Sequence, residues 1–175
     1  MRTWLALMLM LMLPLVAAAQ APGYGEDRGD QVRRSETPVS LPPYPKPENY
    51  LPFQVSATMP FNFFVDAKSI SVGAGREVRY SIIAESSGGA LNVSYEGMRC
   101  GDGQYRVYAF GQPDKTWFEV RDPKWEVIRK NPRNAQRAVL FNDYFCPVIG
   151  EIGSAKAGVR ALKNGGNERA TITSY

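Results

Sequence analysis

The sequence predicts an α+β fold, in which a mostly antiparallel sheet of about five strands carries two or three helices packed on one side. Between residues 63 and 120, apolar residues alternate with polar ones in short runs, and glycine-containing turns separate the runs. Beyond residue 121, start and stop signals of helices replace this alternation. The 175 residues are enough for one such domain with additional segments before it.

The first 19 residues predict a secretory signal peptide. Arg2 precedes an apolar run over residues 5–16, and Ala17, Ala18 and Ala19 supply the small residues of a cleavage site. The apolar run is shorter than the ~20 residues that a bilayer-spanning helix needs. We therefore expect cleavage after Ala19 and a soluble protein in the periplasm; a retained membrane anchor is the alternative. No later segment is apolar enough to span a membrane.

Residues 20–56 are predicted to form a proline-rich tether that is largely disordered. The piece LPPYPKPENYLP, residues 41–52, favours extended polyproline geometry, because proline has no backbone N–H for a ladder of hydrogen bonds. Two alternatives are a docking strip for a partner's aromatic groove and a segment wrapped over the domain by Tyr44, Tyr50 and Phe53. The folded domain is predicted to span residues 57–165 and to start near Ala57, with a frayed tail over residues 166–175.

The predicted strands follow one another with short connections. They cover the second half of residues 63–73, then residues 76–86, 91–100, 104–111 and 116–120. Glycines at residues 73–75, 88–89 and 101–103 indicate turns between them. The turn at residues 101–103 has the length of a hairpin loop.

The hairpin allows a prediction of register. If Cys100 lies opposite Gln104, then Glu96 lies opposite Tyr108, and the more apolar face is our prediction for the core. That face carries Val93, Tyr95, Gly97, Tyr105, Val107 and Ala109. A slip of one residue would exchange the two faces. Glycine inside a strand indicates a bulge or a close approach of the backbone, so we expect one of these at Gly97.

Three helices are predicted after the strands. Asp122 followed by Pro123 is a good start for a helix over residues 123–131. Asn134 caps a second candidate, residues 135–145, which is apolar nearly all round and is therefore either a buried helix or a strand. A third candidate, residues 153–166, ends at two glycines, a C-cap signal.

Cys100 and Cys146 are the two cysteines of the chain, and they predict a structural disulfide. Export and the absence of a CxxC spacing favour this interpretation. Closing a loop of about 46 residues lowers the conformational entropy of the unfolded chain, which stabilises the folded state by roughly 4 kcal/mol. A catalytic or a metal-binding thiol pair is the alternative. Because the chain has no histidine, we expect no metal site, no cofactor and no histidine-based acid–base catalysis.

Several short stretches together resemble a known family. They are RYSI at residues 79–82, YEGMRC at 95–100, QYRVYAFG at 104–111 and DYFCP at 143–147, with Trp117 and Trp125. The chain is similar here to the CNP-like family of exported Gram-negative proteins, over about residues 57–150. The resemblance implies export, a single domain and pairing of the two cysteines. The family has no assigned reaction, so no catalytic residue is carried over.

Carboxylates near the aromatic strands raise the alternative of a hydrolase acting on envelope material. The candidates are Glu96, Asp102, Glu119 and Asp143. Glu96 is the strongest, because it precedes Gly97 and faces a tyrosine in the predicted register. The competing interpretation pairs Glu96 with Arg99 or Arg106 on the surface of the sheet. We therefore predict no catalytic residue.

A basic cluster predicts binding of an anionic partner. Residues 121–137 contain six basic residues against two acidic ones, whereas the whole chain has a net charge of only +4. The six are Arg121, Lys124, Arg129, Lys130, Arg133 and Arg137. A solvated helix surface would explain them equally well. Our leading hypothesis is a non-enzymatic envelope protein that binds a partner protein or an anionic envelope polymer, with nucleic acid unlikely; the alternatives are the hydrolase and a structural accessory protein without a discrete site.

Overall fold

The computed structural model describes residues 38–73, 75–129, 131–147 and 151–167. Eight strands are present: β1 Tyr50–Phe53, β2 Phe61–Asp66, β3 Ser71–Val72, β4 Glu77–Ser86, β5 Leu91–Arg99, β6 Gln104–Gly111, β7 Trp117–Glu119 and β8 Glu126–Val127. Helix α1 comprises Ala135–Val139 and continues as a π-helical segment over Leu140–Phe145, and helix α2 spans Ala155–Lys163. The predicted signal peptide and residues 20–37 of the predicted tether lie outside the described residues.

The sheet is antiparallel, and its strands follow the order β1-β2-β4-β5-β6-β7. Strand β3 pairs with the first half of β4, and β8 pairs with the start of β6. The α+β class is confirmed, but the prediction of about five strands is too low. Strands β1, β3 and β8 have two to four residues, which is too short for the alternation of side chains to be recognised.

The predicted helix over residues 123–131 is wrong. Within this stretch Glu126–Val127 form β8, and the amide of Ile128 donates to the carbonyl of Gly103, which prolongs the pairing between β8 and β6. Cross-strand hydrogen bonds and aromatic contacts thus outweigh the local N-cap signal at Asp122 and Pro123. The other two predicted helices are present as α1 and α2. Gly165, just after α2, has a φ of +73°, as a glycine that ends a helix requires.

The main core lies between one face of the sheet and the two helices. It contains Val78, Tyr80, Ile82, Met98, Leu140 and Phe145, all of which are buried. The Tyr80 and Phe145 rings are 5.1 Å apart between their centroids, which joins the centre of the sheet to α1. Met98 of β5 belongs to this core, so the face of β5 that packs against the helices is the one that the predicted register places away from the core.

The register of the β5–β6 hairpin explains the difference. Arg99 rather than Cys100 lies opposite Gln104, and the pairing shifts between Tyr95 and Glu96, where Tyr108 is the extra residue of a bulge. The prediction is therefore off by one residue at the turn. Tyr95 and Ala109 are still buried, because the second face of the sheet is covered as well.

The second face is covered by residues 38–46, which we call the strap. This part of the predicted tether lies against Tyr95, Tyr108 and Trp117, and the chain then enters the sheet as β1. The ordered domain accordingly begins upstream of the expected start near Ala57. The alternative of a wrapped segment describes this part of the chain better than a disordered tether does.

Cys100 and Cys146 form a disulfide, as predicted, with their Cα atoms 5.2 Å apart. Cys100 directly follows β5 and Cys146 directly follows the π-helical segment of α1. The bond therefore connects the hairpin end of the sheet to the helical layer. Within the described residues, no helix is both long and apolar enough to cross a lipid bilayer.

Candidate anionic-partner surface

Glu96 forms an ion pair in the main core. Its side chain is fully buried, and the Arg137 guanidinium donates from Nε to Oε2 at 2.8 Å and from Nη2 to Oε1 at 2.7 Å. Ser94 Oγ donates to the same carboxylate at 2.6 Å. Burial alone would lower the pKa of Arg137, but the hydrogen bonds and charge of Glu96 outweigh it and raise that pKa well above its usual value. Glu96 thus serves as a structural partner that joins α1 to the sheet through Arg137.

This pair changes two predictions. Glu96 contacts Arg137 from α1, not Arg99 or Arg106 on the sheet surface. It has no access to a substrate, so the hydrolase alternative loses its strongest carboxylate. The other candidates lie in separate elements: Asp102 in the β5–β6 turn, Glu119 on β7 opposite Ala109, and Asp143 in the π-helical segment.

A second buried cluster lies on the opposite face of the sheet. The carboxylate of Glu77 accepts hydrogen bonds from Tyr108 Oη and, at 3.0 Å, from Arg79 Nη2. Burial and then the bond to Glu77 raise the pKa of Tyr108 well above its usual value. A Cβ atom on Gly97 would overlap Glu77 Oε1 and would lie 2.9 Å from Tyr108 Cε2. The sequence predicted a bulge or a close backbone approach at Gly97, whereas the groups that approach it are the side chains of Glu77 and Tyr108.

Two arginines stack on Trp125 beside this cluster. The guanidinium carbons of Arg99 and Arg106 lie 4.0 Å and 4.3 Å from the centroid of the indole ring. Arg99 is the last residue of β5 and Arg106 lies on β6, while Trp125 precedes β8. All three side chains are partly exposed. The pairing of β8 with β6 positions the indole over the two arginines.

The cation–aromatic contacts continue across the second face. The Arg106 guanidinium also lies 5.7 Å from the ring centroid of Tyr108, and that of Arg79 lies 5.4 Å from the same ring. The positive charge of arginine is attracted to the negative face of an aromatic ring, and its planar guanidinium stacks well on such a face. We call Arg99, Arg106 and Trp125, with the exposed Arg121, Lys124 and Arg129 nearby in the chain, the cationic surface.

The six predicted basic residues do not form one group. Arg137 is partly buried and is paired with Glu96, and the Lys124 ammonium lies 2.6 Å from an oxygen of Asp122. Arg121, Arg129 and Arg133 are exposed, and Lys130 lies outside the described residues. The basic residues belong to different elements. Residues 121–129 comprise β8, the loop that connects it to β7 and the two residues after β8, whereas Arg137 belongs to α1 and faces the sheet. Arg133 lies in the turn before α1.

Sequence reasoning missed Arg99 and Arg106 as members of a site. Both occur in the stretch YEGMRCGDGQYR, where the sequence suggested them only as partners of Glu96. A signal was present, because two arginines on adjacent strands of a hairpin point to the same face when their register matches. Trp125 was predicted to lie on a helix, and this error hid its contact with them.

Comparison with known proteins bears on the whole domain. The sequence profile of the CNP1-like family matches residues 30–163. The chain belongs to the CNP1-like family. The match starts upstream of the strap and ends at the last residue of α2, so this CNP1-like domain includes both the sheet and its two coverings. No curated protein and no solved structure matches the chain significantly.

Proposed function

We propose that this CNP1-like domain is a non-enzymatic protein of the periplasm, exported by its predicted signal peptide, that binds an anionic envelope polymer. The binding site is the cationic surface. The observation that carries the proposal is the stack of Arg99 and Arg106 on Trp125, with 4.0 Å and 4.3 Å between the guanidinium carbons and the ring centroid.

Stacking prepares the arginines for ligand binding. A guanidinium with its flat face against an indole loses side-chain freedom before a ligand arrives, so binding costs less conformational entropy. A guanidinium is planar and carries pairs of N–H donors whose spacing matches the paired oxygens of phosphate or carboxylate groups. The ligand class is therefore a polymer that repeats such anionic groups.

The exposed Arg121, Lys124 and Arg129 would strengthen attraction over a longer range. Exposed charges act through water and are screened within about 10 Å at 0.1 M salt. The salt bridge between Lys124 and Asp122 weakens with salt in the same way, since both side chains are largely exposed. Binding should accordingly fall steeply as salt is added.

The compartment is supported by two independent features. The sequence over residues 1–19 has the layout of a signal peptide, and the domain contains a disulfide between Cys100 and Cys146. Disulfides persist in oxidising compartments such as the periplasm. Phosphate and carboxylate groups are common on polymers at such an envelope, so the proposed ligand class and compartment agree.

The test compares the mature protein with an Arg99→Gln/Arg106→Gln variant. Vesicles containing phosphatidylglycerol present lipid phosphate, and soluble polyphosphate presents the same anion without a membrane. A Lys156→Gln/Lys163→Gln variant is the matched control, because it removes two exposed charges from α2. We expect the arginine variant to bind at least fivefold more weakly than both the wild type and the control, to one or both probes.

A second variant tests the flanking charges. Arg129→Glu reverses one exposed charge beyond β8 and should weaken binding at low salt while leaving binding near 0.3 M salt almost unchanged. Equal binding by the wild type and the Arg99→Gln/Arg106→Gln variant would overturn the proposal and favour an accessory protein without a discrete site.

A further inference from the structure

One indole ring holds two cations of the cationic surface close together. The guanidinium carbon of Arg99 lies 4.0 Å from the ring centroid of Trp125, and that of Arg106 lies 4.3 Å from it. The two carbons can therefore be no further apart than the sum of these distances, about 8 Å. Like charges repel, so two flexible arginine side chains would separate in water without such a shared contact. Trp125 thus sets an upper limit on the distance between these two charges.

The backbone next to Trp125 is fixed on the sheet. Glu126, the first residue of β8, lies opposite Tyr105 on β6, and Tyr105 Oη donates to Glu126 Oε2 at 2.8 Å. The amide of Ile128 donates to the carbonyl of Gly103 at 2.8 Å. These bonds hold the strand that directly follows Trp125, so the position of the indole beside β6 is defined by the sheet.

The register of the hairpin brings the two arginines to the same face of the sheet. Arg106 on β6 lies opposite Gly97, and Arg99 lies two residues further along β5. They are therefore diagonal neighbours across the strand pair, and their long side chains reach the same region. The Arg106 guanidinium also lies 5.7 Å from the ring centroid of Tyr108. The strands determine where the two side chains start, and the aromatic rings determine where their charges are held.

Two charges at this separation favour a particular kind of anion. A guanidinium binds the paired oxygens of one phosphate or carboxylate group through two of its N–H groups. A ligand with two adjacent anionic groups can bind both arginines, and its second contact is intramolecular once the first has formed. An isolated group gains the first contact only. A ligand whose anionic groups are joined by a long flexible chain loses most of this advantage, because the chain must be ordered on binding.

We infer that Trp125 is a specificity-determining residue of the cationic surface: by holding Arg99 and Arg106 on one ring, it selects ligands with two anionic groups close together. Adjacent phosphoryl groups, as in a diphosphate or a polyphosphate chain, are the chemical class that fits this description. The inference rests on the proposed function, because it concerns the same surface. It goes further in naming the spacing of the anionic groups in the ligand and the side chain that sets the preference.

Two bisphosphonates that carry the same pair of anionic groups test the preference. Methylenediphosphonate has one carbon between its phosphonate groups, and decane-1,10-diyl bisphosphonate has a chain of ten. We expect the mature wild-type protein to bind the short probe at least about tenfold more tightly than the long one, measured by titration calorimetry at constant ionic strength. Equal affinities of the wild type for the two probes would overturn the inference.

Variants at Trp125 test how the preference arises. Trp125→Leu releases the two guanidinium groups from their shared ring, so its affinities for the two probes should differ by no more than about twofold. Trp125→Phe keeps an aromatic face and should retain part of the preference. Lys156→Gln, which removes an exposed charge from α2, is the control and should keep the full preference. A Trp125→Leu variant that is folded by circular dichroism and prefers the short probe as strongly as the wild type does would overturn the role of Trp125.

The single substitution Arg99→Gln tests the same preference without changing Trp125. With one stacked arginine left, the affinities for the two probes should again differ by no more than about twofold, and a preference as large as that of the wild type would overturn the inference.

The polyphosphate comparison separates this inference from the proposed function. If Arg99→Gln/Arg106→Gln weakens polyphosphate binding but the wild type binds the two bisphosphonates equally, the inference alone is overturned and the proposed function stands. If that variant binds polyphosphate and the lipid vesicles as tightly as the wild type does, both are overturned.

Discussion

Arg137 on α1 binds both carboxylate oxygens of Glu96 on β5, a residue with no exposed side-chain surface. The same guanidinium lies 4.1 Å from the ring centroid of Tyr105 and donates to Asn134 Oδ1 at 3.0 Å. Arg137 therefore connects the first helix to the centre of the sheet through contacts on three sides. The ion pair therefore helps to fix the orientation in which α1 packs on the sheet.

Removing one partner of this pair should be costly. In an Arg137→Met variant the carboxylate of Glu96 stays buried without its cation, and breaking a buried pair typically costs about 3–5 kcal/mol. We expect a loss of that size in the free energy of unfolding, measured by urea denaturation. Arg133→Met, an exposed arginine close in the chain, is the control and should change stability by less than about 0.5 kcal/mol. Equal effects of the two substitutions would contradict the structural role of the pair.

Gly97 is predicted to tolerate no side chain. In Gly97→Ala the new methyl group overlaps the Glu77 carboxylate and approaches Tyr108, so the buried cluster must shift. Overpacking of this kind costs about 1–3 kcal/mol. The matched control is Gly101→Ala, because a Cβ at that position meets no atom within 4 Å. A thermal unfolding midpoint of Gly97→Ala equal to that of the control would contradict the prediction.

The disulfide should contribute much of the stability of the domain. A Cys100→Ser/Cys146→Ser variant loses the constraint that the bond places on the unfolded chain, which is worth about 2–4 kcal/mol for typical disulfides. Urea denaturation of the oxidised protein, the reduced protein and this variant measures the loss. We expect the reduced protein and the variant to unfold at similar urea concentrations, both well below the oxidised wild type. If reduction leaves the midpoint unchanged, the bond does not constrain the two layers.

Tyr105 should make the domain sensitive to alkaline pH. Burial, and then its hydrogen bond to Glu126 at 2.8 Å, raise the pKa of Tyr105 to about 12. In the unfolded chain this phenol loses its proton near pH 10, so the unfolded state binds fewer protons than the folded state above that pH. Stability should therefore fall as the pH rises from about 10 to about 12.

A Tyr105→Phe variant isolates this effect. Its free energy of unfolding should decline less steeply over the same pH interval, because the shifted phenol is absent. Denaturation curves measured at several pH values for both proteins give the comparison. Parallel declines in the two proteins would show that Tyr105 does not contribute to the alkaline sensitivity.

Several features of the candidate sites were accessible from the sequence, and others were not. Gly97 was singled out because glycine inside a strand indicates a bulge or a close backbone approach, but the sequence did not reveal that the side chains of Glu77 and Tyr108 occupy the space. The basic cluster was recognised by composition, yet composition does not distinguish Arg129, which is exposed, from Arg137, which is partly buried and paired with Glu96. The packing of the strap against Tyr95, Tyr108 and Trp117 remained hidden because the strap lies far upstream of these three strands in the sequence.

The sequence by itself determined the α+β class, the central strands, two of the three helices and the pairing of the cysteines. These follow from local periodicity, turn residues and the presence of only two thiols, which are properties of short stretches or of counts. The tertiary structure decided the register of the β5–β6 hairpin, the extended conformation around Trp125 and the position of the strap. Each of these depends on contacts between distant residues, whose energies exceed the local preferences that a sequence displays.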